Sequence, residues 1–199
     1  MNYIDKLEPE RFYHVYNRAV GNEILFVSDS DYNMFFSKLD RFLECFVDIY
    51  AYCLIPNHFH LLIRVKSEAE LKKEFDNDIQ DWNAIINQKF SNFFNSYTRT
   101  FNKFKDRKGK LFMLPYRRKQ ISDDIYYTQI IGYIHRNPIH HGLVNKLDEW
   151  KYSSYKLFLS DDYTNLKRNE VIDWFGGRSE FENFHDNFVE EYYHELIGS

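Results

Sequence analysis

The chain has 199 residues, with 26 Lys and Arg against 30 Asp and Glu, a formal net charge of −4 and 19% aromatic residues. This length suits one domain with an extension and is enough to bury a sizeable core. No run approaches the roughly 18 apolar residues of a membrane span, and the start lacks a signal peptide's apolar region. Cys45 and Cys53 are too few for a disulfide framework or a cysteine-based zinc site. The sequence therefore reads as a soluble, cytoplasmic protein with buried, reduced thiols.

Arg11 to Arg18 alternates as a first strand, with Phe12, His14 and Tyr16 on one face and Tyr13, Val15 and Asn17 on the other. A helix capped by Asp29 or Ser30 and running to about Cys45 carries Tyr32, Phe35, Phe36, Leu39, Phe42, Leu43 and Phe46 as its core stripe. Val47 to Leu54 and Phe59 to Val65 read as strands joined by a tight turn at Pro56-Asn57. Lys66 to Asp81 is polar, with a short helix at Glu68–Phe75. A long helix comes next, from Trp82 to about Phe104, burying Ile85, Ile86, Phe90, Phe93, Phe94, Tyr97 and Phe101. Phe112 to Ile121 reads as a fourth strand, interrupted near Pro115 and placed at a sheet edge by that proline. Ser122 or Asp123 caps a last helix, Ile125 to about Asn137, and Pro138 and Gly142 punctuate the chain beyond it.

This order predicts an α+β fold: a ferredoxin-like antiparallel sheet with helices packed on it, over residues 1–158. Residues 159–199 read as an acidic helical C-terminal extension, with Phe181, Phe184, Phe188, Val189 and Tyr192 on one side of an amphipathic helix. The charges are segregated. Between Arg99 and Lys119 nine basic residues stand against Asp106 alone, whereas from Asp161 onward ten acids face three bases.

Two sets of residues bear chemistry. His58 and His60 flank one apolar residue of the third strand, so they share a face, with Cα atoms roughly 6.5–7 Å apart. Two imidazoles so placed can converge on one divalent cation, while Phe59, Leu61 and Ile63 anchor the other face. Taken alone, such a pair on a strand is more often structural or merely exposed than metal-binding. His14 is a third polar group that can approach them. On the last helix, Tyr127, Ile130, Ile131 and Ile134 form the apolar stripe, and Gln129, Tyr133 and Asn137 gather on a different face at i, i+4 and i+8.

Leu54-Ile-Pro-Asn-His-Phe-His-Leu-Leu62 resembles the His-hydrophobe-His signature of the HUH single-tyrosine transposases. Tyr133-Ile-His-Arg-Asn-Pro138, followed by His141-Gly-Leu-Val144, resembles their nucleophile helix. Phe12-Tyr-His-Val-Tyr-Asn-Arg18, Gly109-Lys-Leu-Phe112 and Trp150-Lys-Tyr-Ser-Ser-Tyr155 extend the likeness over about residues 11 to 155, nearest to the REP-associated tyrosine transposase branch. The resemblance implies a catalytic domain that cleaves and rejoins single-stranded or hairpin DNA through a covalent 5′-phosphotyrosine on Tyr133. It also implies Mg²⁺ or Mn²⁺ held by His58, His60 and Asn137, and it allows a homodimer. Arg99, Lys103, Lys105, Arg107, Lys108, Lys110, Arg117, Arg118 and Lys119 would track the DNA backbone, with Phe101, Phe104, Phe112 and Tyr116 available to stack on bases. The alternatives are a non-cleaving hairpin-binding descendant and a metal-dependent hydrolase that uses water. The stretch 66–81 and the acidic segment after Asp161 depart from the family pattern.

Overall fold

Four strands, β1 (Phe12–Arg18), β2 (Val47–Ile55), β3 (His58–Val65) and β4 (Arg117–Ile121), form one antiparallel sheet in the order β2-β3-β1-β4. The computed structural model describes residues 4–75, 79, 81–122 and 124–188. Helix α1 (Asp29–Leu43) connects β1 to β2, and α3 (Trp82–Phe104) lies between β3 and β4. This is the ferredoxin-like α+β arrangement that the element order predicts. The polar stretch after β3 carries α2 (Glu68–Glu74), capped by Ser67 and fixed to the core through buried Leu71.

The two-residue period of the strands divides the molecule into two layers. Tyr13, Val15, Phe59, Leu61 and Ile63 pack against α1 and α3 in one core. Leu62, Tyr50 and Cys53 face the other way, against Ile130, Ile131 and Ile134 of α4 (Asp124–His140). A register shift between the Ile49 and Ala51 pairs marks a bulge, and both Tyr50 and Ala51 join the α4 layer.

Several local expectations are corrected. Helix α1 is capped by Ser28, and the Asp31 carboxylate accepts from the Val27 and Ser28 backbone N–H groups at 3.0 Å. Cys45 is exposed, because the turn after α1 sends only Phe46 inward; Cys53 is buried. Only residues 117–121 of the fourth strand pair with β1, and Phe112 makes only an isolated bridge to Ala19. Helix α4 continues through Pro138 to His140. A proline removes one helical donor there, and the turn is closed beyond it by His141 N–H to Asn137 O and Leu143 N–H to Pro138 O.

The C-terminal segment forms α5 (Tyr155–Leu159), α6 (Arg168–Phe175) and α7 (Arg178–Asp186); α7 carries Phe181 and Phe184 of the amphipathic helix expected and ends before Phe188. Phe158, Val171 and Phe181 are fully buried in the same cluster as Ile130, Ile131 and Ile134. Val189 and Tyr192, like the candidate cap Asp123, lie outside the described residues. Gly132 permits this close docking: a Cβ there would stand 2.6 Å from the Phe188 ring. Among the described residues no helix is long and apolar enough to cross a membrane.

Candidate active site

The strand period and the helix period meet between β3 and α4. His58, His60 and Leu62 project from β3 toward α4, and the α4 face beside its apolar stripe brings Tyr133 and Asn137 to meet the two histidines. The Tyr133 hydroxyl lies 3.3 Å from His60 Nε2, and Asn137 Nδ2 donates to the same hydroxyl at 2.7 Å. Asn137 Oδ1 stands 2.9 Å from His58 Nε2. The four residues set apart by motif and spacing are therefore one hydrogen-bonded cluster, with His60, Tyr133 and Asn137 buried and His58 half-buried.

His14 closes the cluster from β1. Its Nε2 lies 2.9 Å from His60 Nδ1, because His14 and His60 sit on the same face of adjacent strands. Asn137 donates to Tyr133 Oη, and where the phenolic O–H in turn donates to His60 Nε2 the single proton of the neutral ring is fixed. It is then on Nδ1 and donates to His14.

Burial keeps these imidazoles neutral. It pushes His14 down to about 3, with the Lys119 charge adding to the effect, and His58 down to about 4, with His141 second. His60 is driven well below the ordinary histidine range by burial first and His14 next. Neutral rings keep the lone pairs that metal ligation needs.

The donor set fits a divalent cation. Among the described residues no group of three His, Cys, Asp or Glu side chains is placed to hold a metal, so a cation at His58 and His60 would need a third donor of another kind, such as Asn137 Oδ1. His58 has Asn57 Oδ1 at 2.8 Å from Nδ1 and Asn137 Oδ1 at 2.9 Å from Nε2. A neutral imidazole has one N–H, so one of these contacts sets a lone pair against a lone pair. A cation shared by Nε2 and Oδ1 would relieve that opposition, and neighbouring ligands of octahedral Mg²⁺ lie about 3 Å apart.

The basic band is not a single surface. Arg117 and Lys119 pair with Tyr16 and His14 and so share the site's side of the sheet. Arg118 points to the other side, buried, with its guanidinium over the Tyr116 ring and donating to Asp5 O. Arg107 is tied to Glu23 and to the Lys110 carbonyl, while Lys108 and Lys110 are exposed on the adjoining loop. Arg99 and Lys103 lie on α3 and Lys105 just beyond its end, across the sheet from Tyr133, and Lys105 pairs with Asp31 at 3.2 Å. Of the four aromatics offered for stacking, Phe101, Phe112 and Tyr116 are core residues, and only Phe104 is exposed, at 75%.

Arg18 and His141 enter the sequence reading only as members of the motifs that carry the resemblance, with no site role of their own. Exposed Arg18 stands directly opposite His58, and the His141 ring centroid is 4.7 Å from that of His58.

No protein-family model matches the chain. A Haemophilus influenzae protein, provisionally described as a REP-associated tyrosine transposase, is 28% identical over 107 residues, 53% of this chain and 57% of that relative. The alignment thus spans little more than half of the curated relative. A solved structure of a REP-associated tyrosine transposase bound to a REP hairpin matches with a TM-score of 0.60 at 15% identity, over 83% of this chain and 89% of that one, which is a likeness of fold. The likeness carried by the motifs is therefore met in both sequence and fold.

Proposed function

We propose that this chain is a single-stranded DNA transposase or endonuclease that cleaves and rejoins its substrate through a 5′-phosphotyrosine on Tyr133, with Mg²⁺ or Mn²⁺ held by His58, His60 and Asn137. The observation that carries this reading is the convergence of the Tyr133 hydroxyl with His60 Nε2 and Asn137 Nδ2 at 3.3 and 2.7 Å. A phenol with its ordinary pKa of about 10 is a weak nucleophile at neutral pH, so a site that uses one must favour the phenolate. The Asn137 N–H does so directly, and it fixes the direction of attack. The Oη–P bond forms as the P–O3′ bond breaks, and the proton lost by the phenol is balanced by the one gained by the leaving 3′-oxygen. A phosphodiester is exchanged for a phosphotyrosine, which leaves rejoining possible without a nucleotide cofactor.

A bound cation would supply charge at the scissile phosphate and at the leaving oxygen. The chain's own part is positional. His14 holds the His60 ring through Nδ1, and Arg18, Arg117 and Lys119 bring positive charge to the mouth of the site, where phosphates flanking the cleaved bond would lie. Hairpin DNA is the proposed partner, by extension from the DNA held in the fold neighbour.

The test is to incubate the chain with end-labelled single-stranded hairpin DNA and Mn²⁺ and then to denature it. A labelled covalent adduct that disappears in Tyr133→Phe is the expected result. Cleavage that persists in Tyr133→Phe would point instead to a hydrolase using water, and binding with no adduct to a non-cleaving hairpin binder.

A further inference from the structure

The part of the basic band that does not reach Tyr133 lies beside a cleft of about 470 Å³ between α1 and α3, on the opposite layer of the molecule. Ser30, Met34, Ser37, Lys38 and Arg41 line it from α1 at helical spacing, facing Thr100 and Phe104 of α3 and Lys105 just beyond. Lys38 Nζ donates to Ser96 Oγ at 2.9 Å, which ties the two helices across the cleft. Ser96, Arg99 and Lys103 recur at i, i+3 and i+7, so their side chains follow one face of α3.

The charges around this cleft are sorted by sign. Asp40 and Glu44 of the same α1 helix line a different cavity beside β2. The one carboxylate in the cleft, Asp31, is already engaged by two backbone N–H groups and by Lys105. Lys38 is held below its ordinary range by burial first, then by Arg41 and Arg99, so these cations crowd one another. Such crowding costs energy in the free protein and is relieved by a polyanion. Phe104 stands at the lip, 75% exposed, at the end of a helix whose other aromatics are packed inward.

The loop that follows Phe104 and Lys105 is joined by hydrogen bonds to β1, the strand that carries Arg18. The Arg107 guanidinium donates to the Lys110 carbonyl, Val20 N–H donates to Leu111 O, and Met113 N–H donates to Arg18 O, both backbone bonds at 2.9 Å. Arg18 is the residue opposite His58. Exposed Lys108, Lys110 and Leu114 border that path.

Resting on the nucleic-acid function proposed for Tyr133, we infer that the α1–α3 cleft is a second phosphodiester-binding site for a single-stranded segment that continues past the stretch held at Tyr133. Lys38 and Arg41 pair with its phosphates, and Phe104 stacks on one of its bases. Phosphate contacts supply affinity with a salt dependence, and an exposed aromatic supplies sequence-tolerant stacking.

The experiment measures binding of fluorescent DNA to the full chain at several salt concentrations, using a minimal hairpin and the same hairpin with a long single-stranded flank. Lys38→Gln/Arg41→Gln is expected to weaken binding of the flanked DNA about tenfold and to lower the log–log salt slope by about 1.4, since each single-strand phosphate contact contributes about 0.7. Phe104→Ala is expected to weaken it about tenfold with an unchanged slope, because stacking releases no counterions. Both variants keep the wild-type melting temperature and form the Tyr133 adduct with the minimal hairpin at the wild-type rate. Wild-type affinity and slope in the double variant would overturn the inference, and so would an equal loss on the minimal hairpin. Loss of the flank effect while the adduct still forms defeats this inference alone. Absence of the adduct while flank binding responds to the variants defeats only the proposed chemistry.

Discussion

Asn137 faces two ways, and substitution can separate its two contacts. Its Oδ1 lies 2.9 Å from His58 Nε2, and its Nδ2 donates to Tyr133 Oη at 2.7 Å. Asn137→Asp keeps an oxygen toward His58 but removes the N–H donor, and it sets a carboxylate beside the oxygen on which negative charge must develop. Loss of one donor to a developing oxyanion costs about 10²-fold in rate. Single-turnover adduct formation is therefore expected to fall by about that factor in Asn137→Asp, while Mn²⁺ binding, followed by electron paramagnetic resonance, is retained. In Asn137→Ala both are lost. A full adduct rate in Asn137→Asp would show that the Nδ2 contact does not help the phenol. That Tyr133 and Asn137 share a face was legible from their spacing, as was the common face of His58 and His60. That Asn137 reaches the phenol as well as the histidine was not, because it depends on how closely α4 lies over β3, a distance fixed by the packing of Ile130, Ile131 and Ile134 on Leu62 and its neighbours.

At the scale of elements, α4 is held from behind by a second histidine pair that no strand or helix period reveals. His135 Nδ1 lies 2.8 Å from His185 Nε2, His135 Nε2 lies 2.7 Å from Ser154 Oγ, and His185 Nδ1 lies 2.8 Å from Phe181 O. A carbonyl only accepts, so His185 carries its proton on Nδ1, accepts from His135 at Nε2, and leaves His135 to accept from Ser154, whose one proton goes to this 2.7 Å contact in preference to Tyr52 O at 3.2 Å. Every ring nitrogen is satisfied with both rings neutral. Burial, and then the nearby Arg136 charge, holds His185 down at about 4, against 6.5 in an unfolded chain, and its carbonyl partner only partly offsets them. His135 and Arg136 from α4, Tyr155 from α5 and Phe175 from α6 are the groups packed around it. Between these two values the unfolded chain binds the extra proton, so stability is full above about pH 6.5 and is lost as the pH falls through about 4. The loss attributable to His185 is about 3 kcal/mol. Thermal melts from pH 7 to pH 4 should fall more steeply for the wild type than for His185→Gln, whose amide can both accept and donate; parallel curves would remove His185 as the source. His185 lies 50 residues from its partner, in a segment that reads from sequence only as an acidic tail, which is why this buttress was not legible there.

For the whole molecule, the decisive feature is how the sheet ends. A strand edge with unpaired N–H and C=O groups is the easiest place for a second copy to extend a sheet. Residues 152–154 run along the outer side of β2, with Leu54 N–H donating to Tyr152 O and Ser154 N–H to Tyr52 O, and Lys167 N–H reaches Ile49 O farther along. At the other end, Ile4 bridges Arg118, and the Asp5 side chain accepts from Gln120 N–H at 2.7 Å, so β4 is covered as well. Pro115 places β4 at an edge in the sequence, but the covering segments are irregular and give no periodic signal of their own. With both edges occupied, pairing two sheets would require first removing these segments and exposing their hydrogen-bonding groups. Of the assemblies that the family likeness allows, the monomer is therefore expected for this chain in the absence of DNA. Light scattering on the eluting protein should give 24.4 kDa at tens of micromolar. Twice that mass, together with faster amide exchange at Asp5 or Ser154, whose N–H groups here bond to β4 and β2, would mean that an edge does open to a partner and that its covering segment is a displaceable flap.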